Sequence, residues 1–133
     1  MKVLIADSQS PVRHALSVWI SGQSGLEVIG ESSDSTDLLV QLKQLLPEVV
    51  ILDRDLPGIE IRALVKNIRQ ASKEVIIILL FNGPFAQFDS DPLDVDYYAS
   101  KIDPPARVTE AILKARRRYE SKMQSSEEGQ DMQ

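Results

Sequence analysis

Two aspartates and a lysine each stand at the end of an apolar run. Asp7 follows Val3-Leu4-Ile5-Ala6, Asp53 follows Val49-Val50-Ile51-Leu52, and Lys101 follows the run 95–100. Carboxylates are hard oxygen ligands for a divalent cation, and an ammonium group is a point-charge partner for phosphoryl oxygens. Two carboxylates and one ammonium at one place therefore read as a site for a divalent cation and a phosphoryl group. The three meet only if the runs are parallel strands of one sheet. Open α/β sheets place their ligand sites at the carboxyl edge.

Five apolar runs, at 3–6, 26–30, 49–52, 75–80 and 95–99, alternate with helical patterns. The first, third and fourth are apolar at consecutive positions, as expected of parallel strands covered by helices on both faces. A first helix has Ser8 or Ser10 to cap it and Pro11 in its first turn, where the missing N–H costs nothing. Val12, Ala15, Leu16, Trp19 and Ile20 form its core stripe, and Ser21-Gly22 ends it. A second helix opens near Asp34-Ser35-Thr36, turns Leu38, Leu39, Leu42, Leu45 and Leu46 inward, and stops before Pro47. A third follows Pro57-Gly58, with Ile61, Leu64, Val65 and Ile68 on one face. The last begins at Pro104-Pro105 and carries Val108, Ala111, Ile112 and Ala115.

Between Phe81 and Asp96 a further helix is expected, but the sequence makes it degenerate. Gly83, Pro84 and Pro92 interrupt it, and Asp89, Asp91, Asp94 and Asp96 leave no apolar stripe. The element order predicts an α/β fold: a flavodoxin-like, doubly wound, five-stranded parallel sheet in the order 2-1-3-4-5 with right-handed crossovers. Strands 1 and 3 are neighbours in that order, which brings Asp7 and Asp53 together. Residues 1–120 are expected to form one domain. Residues 121–133, polar and acidic, read as a helix extension, a disordered tail or the start of a linker to an output domain.

Composition narrows the function. The 133-residue chain is 43% hydrophobic and 26% charged, ordinary for one globular domain. Its formal charge of -5 argues against this domain holding nucleic acid directly, because neutralising phosphates needs a basic face. The absence of cysteine excludes disulfides and thiolate chemistry, and one histidine, His14, cannot build a multi-histidine metal site. No apolar run approaches the ~18–20 residues of a membrane span. The N-terminal residues lead straight into a strand without the pattern of a signal peptide, so a cytoplasmic location is expected.

The ordered segments Lys2 to Asp7, Val12-Arg13, Leu26 to Glu31 and Pro47 to Asp53 resemble the receiver domain of bacterial two-component response regulators, a CheY-like fold. Asp53-Arg54-Asp55-Leu56-Pro57-Gly58 is similar to the family's phosphoacceptor loop Asp-x-x-Met-Pro-Gly, with Leu for Met. Gly30-Glu31 and the Leu-rich second helix resemble receivers joined to LuxR-type helix-turn-helix domains. The resemblance implies that Asp53 accepts a phosphoryl group from a sensor histidine kinase. It also implies that Asp7, Asp53 and the Asp55 carbonyl hold Mg2+, that Lys101 contacts the phosphoryl oxygens, and that Tyr98 is the switch aromatic. An attached DNA-binding output domain and a homodimer are further expectations; enzymatic activity is not.

The chain departs from the family in three places. Ser8 replaces the second acid after strand 1, so weak Mg2+ binding is expected. No Ser or Thr lies between Val75 and Asp89, so Leu80 (or Leu79 or Phe81) takes the place of the hydroxyl that hydrogen-bonds the phosphoryl group. The degenerate helix alters a face that commonly docks partners. An alternative reading is therefore a phosphorylation-independent pseudo-receiver, a protein-interaction module. Asp55 reads either as a solvated loop acid or as a side chain turned into the pocket, and Tyr98 either as edge-strand packing or as a switch.

Overall fold

Strands β1 (Lys2–Ala6), β2 (Glu27–Ser32), β3 (Val49–Asp53), β4 (Ile76–Phe81) and β5 (Tyr97–Ser100) pair in the order β2-β1-β3-β4-β5 in the computed structural model. All four pairings are parallel. Helices α1 (Ser10–Ser21), α2 (Ser35–Leu45), α3 (Ile61–Ala71) and α4 (Ala106–Asp131) complete the described elements. The structure describes residues 1–83 and 93–131. The degenerate helix expected between Phe81 and Asp96 falls largely on residues 84–92, outside the described residues.

Strand alternation divides the core into two layers. Val3, Ile5, Val49, Ile51, Ile78 and Leu80 face Leu16 and Ile20 of α1 and Val108 and Ile112 of α4. Leu4, Val50, Leu52, Ile77 and Leu79 face Leu38 and Leu42 of α2 and Leu64, Val65 and Ile68 of α3. Burial is continuous over Val3 to Ala6 of β1 and along all of β3 and β4, as their unbroken apolar runs imply. Each such side chain contributes about 1.5–3 kcal/mol on burial, so the sheet edge rests on a stiff base.

The local differences from the sequence reading have physical causes. Neither Ser8 nor Ser10 caps α1: the N-cap is Gln9, without a side-chain hydrogen bond, while Pro11 does sit in the first turn. Asp34 caps α2 as its type favours, accepting from the Asp37 N–H at 2.8 Å. Leu45 and Leu46 lie outside the core, because α2 ends at Leu45 and Leu46 turns left-handed (φ 50°), off the inner stripe and 73% exposed. Trp19 also lies at the rim rather than inside, 40% exposed. Its indole N–H donates to Thr109 Oγ1 at 2.6 Å, which ties α1 to α4. Strand β2 is displaced toward Ser32 relative to expectation, since this edge strand is of mixed polarity and its limits follow pairing with β1. The polar segment 121–131 continues α4 to Asp131.

Candidate functional site

Residues of one parity share one face of a strand, so Asp7 extends the face of Val3 and Ile5, and Asp53 that of Val49 and Ile51. Lys101 extends the face of Ala99 in the same way. In the β3–β4 register Asp53 lies opposite Leu80, and in the β4–β5 register Leu80 lies opposite Ala99. Asp7, Asp53, Leu80 and Lys101 are thus brought to one corner of the carboxyl edge by register alone.

There the Lys101 ammonium sits between the carboxylates, with Nζ 2.8 Å from Asp7 Oδ2 and 3.0 Å from Asp53 Oδ1. The three groups are almost wholly enclosed: 8% of the Lys101 side chain is exposed, and Asp7 and Asp53 are buried. Burial pushes the Lys101 pKa down, but the hydrogen bonds and charges of Asp7 and Asp53 outweigh it, and the net shift is upward. Asp7 Oδ1 accepts the Gln9 N–H at 2.8 Å, and Asp53 Oδ1 accepts the Asp55 N–H at 3.0 Å. Asp7 Oδ2 is buried against the Lys101 ammonium at 2.8 Å.

The turn after β3 is anchored from a second direction. Buried Ser35 at the start of α2 accepts the Ile59 N–H at 2.8 Å through Oγ, and its own N–H donates to Pro57 O at 2.9 Å. Gly58 adopts φ 114°, and a Cβ there would run into Ser35 Oγ. Only glycine meets both demands.

The remaining expected positions fall as follows. Ser8 is exposed, and among the described residues no group of three His, Cys, Asp or Glu side chains gathers to hold a metal. Asp55 is exposed, and its Oδ2 accepts from Asn82 Nδ2 at 3.3 Å, so its carboxylate lies with Asn82 and not with the Asp7–Asp53 pair. Leu80 is buried, 2% exposed, directly beside Asp53. Tyr98 is half-buried and packs on the opposite layer, with Leu93 N–H 3.4 Å from its hydroxyl.

Three contributors escape a reading by residue type. Arg13 donates to the Asp7 carbonyl at 2.7 Å and pairs with Glu31 at 3.4 Å, tying α1 to β1 and β2. Its only signal in the sequence is the segment Val12-Arg13. Asn82 closes over Asp55 without any signal. Ser100, a lone hydroxyl in an apolar run just before Lys101, is buried and donates to Gly83 O at 2.6 Å.

A parallel sheet with this order, and with two buried carboxylates and a lysine at its carboxyl edge, defines a class of doubly wound α/β domain. The response regulator receiver domain profile matches residues 3–83, and the chain belongs to that family. It is 29% identical over 119 residues to the response regulator protein VraR of Staphylococcus saprophyticus, covering 86% of this chain and 56% of the relative. The receiver domain of AraT, a response regulator from Geobacillus stearothermophilus, superposes with a TM-score of 0.79 at 25% identity, covering 92% of this chain and 97% of that one. RcsB from Salmonella enterica, bound to promoter DNA in the presence of the phosphomimetic BeF3-, gives a TM-score of 0.75 at 28% identity, covering 85% and 66%.

The chain spans 29% and 56% of the first two curated relatives that it matches. Response regulators work with sensor kinases, their receiver domains in general bind Mg2+ for phosphorylation, and the receiver family is generally not enzymatic. Among the described residues no helix is long and apolar enough to cross a membrane.

Proposed function

We propose that this receiver takes a phosphoryl group from a sensor histidine kinase onto Asp53 and relays the change to an output. The observation that carries the reading is the convergence of Asp7 and Asp53 on a single cation, the Lys101 ammonium. Among the described residues the polar contacts of the Asp53 carboxylate fall on Oδ1, and Oδ2 is the attacking oxygen in this reading. In the transfer a bond forms between Asp53 Oδ2 and phosphorus while the phosphorus–nitrogen bond of the donor phosphohistidine breaks. The electron pair stays on the imidazole, which takes up a proton.

The donor set fits a magnesium ion of reduced affinity. Asp7 Oδ2, buried with only the Lys101 ammonium described against it, and the Asp53 carboxylate would be side-chain ligands, and the Asp55 carbonyl the backbone ligand. Ser8 contributes no charge. When bound, the ion screens the repulsion between the Asp53 carboxylate and the phosphoryl oxygens. Lys101 gives up its contact with Asp53 to hold those oxygens, Leu80 offers them nothing polar, and Tyr98 is the aromatic that responds.

The wider reading is a cytoplasmic signalling protein without enzymatic activity. Residues 1–120 form the receiver, and residues 121–133 begin the connection to a helix-turn-helix output domain of LuxR type. DNA is bound through that domain, and a homodimer is a further part of this reading. The promoter-bound state of the similar RcsB supports this output. The test is fluorine NMR of the protein with beryllofluoride and magnesium. A bound fluorine signal that vanishes in Asp53→Asn and on chelation is expected. Its absence from folded wild type at every magnesium concentration would favour a phosphorylation-independent interaction module.

A further inference from the structure

In this family a hydroxyl at the end of the fourth strand hydrogen-bonds the phosphoryl group; here that position is Leu80, buried and apolar beside Asp53. A buried hydroxyl does exist one strand away. Ser100 closes β5, is 5% exposed, and pairs in register with Phe81. Its Oγ donates to the Gly83 carbonyl at 2.6 Å and accepts the Ile102 N–H at 3.3 Å. These two bonds bracket Lys101. The second closes the turn that carries the lysine, and the first ties that turn to the point where the chain leaves β4, at a glycine with φ 88°. The Lys101 N–H itself donates to Phe81 O at 2.8 Å.

A continuous path results. The Asp53 carboxylate holds the Lys101 ammonium, the Lys101 backbone is the peptide neighbour of Ser100, and the Ser100 hydroxyl holds Gly83. A buried hydroxyl with both its donor and its acceptor engaged is directional, whereas the Leu80 side chain has no directional bond to give. Any movement of the turn 100–102, as the Lys101 ammonium leaves Asp53 Oδ1 for phosphoryl oxygens, would reach Gly83 through the Ser100 Oγ bond.

We propose that Ser100 is a positioning residue that couples Lys101 to Gly83, so that β5 supplies the hydroxyl link that β4 lacks. The proposal rests on Asp53 as the phosphoacceptor and concerns how occupancy is passed on.

The experiment compares wild type, Ser100→Ala, Ser100→Thr and Ser100→Val in the full chain. Fluorine NMR measures beryllofluoride uptake with magnesium, and nitrogen–proton spectra follow the Asn82 and Gly83 amides in the same samples. Thr retains the hydroxyl and Val matches Thr in shape without it, so a comparison survives if Ala fails to fold. We expect all folded variants to take up beryllofluoride. The ligand-induced shift at Gly83 should persist in Thr and shrink by at least about twofold in Ala and Val, the low end of what one net hydrogen bond is worth. A merely structural serine would alter stability and leave that shift alone. Equal Gly83 shifts in wild type, Thr and Val at full uptake would overturn the coupling. Failure of wild type to take up beryllofluoride would overturn the phosphoacceptor reading, and the coupling with it.

Discussion

Replacing Lys101 by Met removes the cation and keeps most of the side-chain volume. Asp7 and Asp53, with 0% and 2% of their side chains exposed, are then left facing one another. They lie within roughly 6 Å, since both touch Nζ, a distance at which like charges interact strongly. With an effective dielectric of 20, each contact of the wild-type lysine is worth about 5–6 kcal/mol before desolvation. Desolvation of the three groups offsets most of that, and removal of one partner from a buried pair costs about 3–5 kcal/mol in practice.

Lys101→Met should therefore lose about 3–5 kcal/mol of unfolding free energy at pH 7. Urea titration, read by the fluorescence of the single tryptophan, Trp19, measures this directly. Because the cost is like-charge repulsion, it should shrink on adding magnesium. Adding Asp53→Asn to the variant should restore stability rather than subtract from it, because the sites share one charge cluster. A loss under about 1 kcal/mol, the range of exposed ion pairs, with no dependence on magnesium would show that Lys101 does not hold two buried charges together.

Three further outcomes follow from the same geometry. Gly58→Ala should cost about 2 kcal/mol or more in urea unfolding, since the position combines φ 114° with a collision against Ser35 Oγ. Lys101 has a raised pKa in the fold, so its stabilising contribution is fully present below the unfolded value of about 10.4 and is lost as pH rises through the higher folded value. Thermal unfolding should thus show a component above pH 10 that Lys101→Met lacks. Leu80→Thr should destabilise the free protein by about 1–3 kcal/mol by burying a hydroxyl among apolar groups. Saturating beryllofluoride should return about 1 kcal/mol of that, the worth of one hydrogen bond to the bound group, as read from the shift in urea midpoint.

The positions of Asp7, Asp53 and Lys101 were legible because each ends a run whose partners are fixed by parallel pairing. Val49 to Leu52 has no polar residue to mark one face as outside, so it had to be a covered strand, and the charge after it had to lie at the edge. Leu80 was legible as one of three registers; the β3–β4 pairing selects it by placing it opposite Asp53. Caps were less so, because Ser8 and Ser10 have the right chemistry, but the backbone dihedrals put Gln9 at the cap. Leu45, Leu46 and Trp19 carried the periodicity of core residues. Periodicity does not say where a helix stops or where a neighbouring helix ends cover. Ser100 was illegible as a functional group, since a hydroxyl in an apolar strand gives no sign of bonding to a residue 17 positions away.

At issue is phosphoryl uptake by two carboxylates and one lysine without the usual second acid and hydroxyl. Its most direct test is the intact mass of the protein after incubation with a small phosphodonor and magnesium, for wild type and Asp53→Asn side by side. Wild type should gain the mass of one phosphoryl group, a gain absent from Asp53→Asn and absent with chelator. An unchanged wild-type mass in folded protein, both with the small donor and with a phosphorylated cognate kinase, would contradict it.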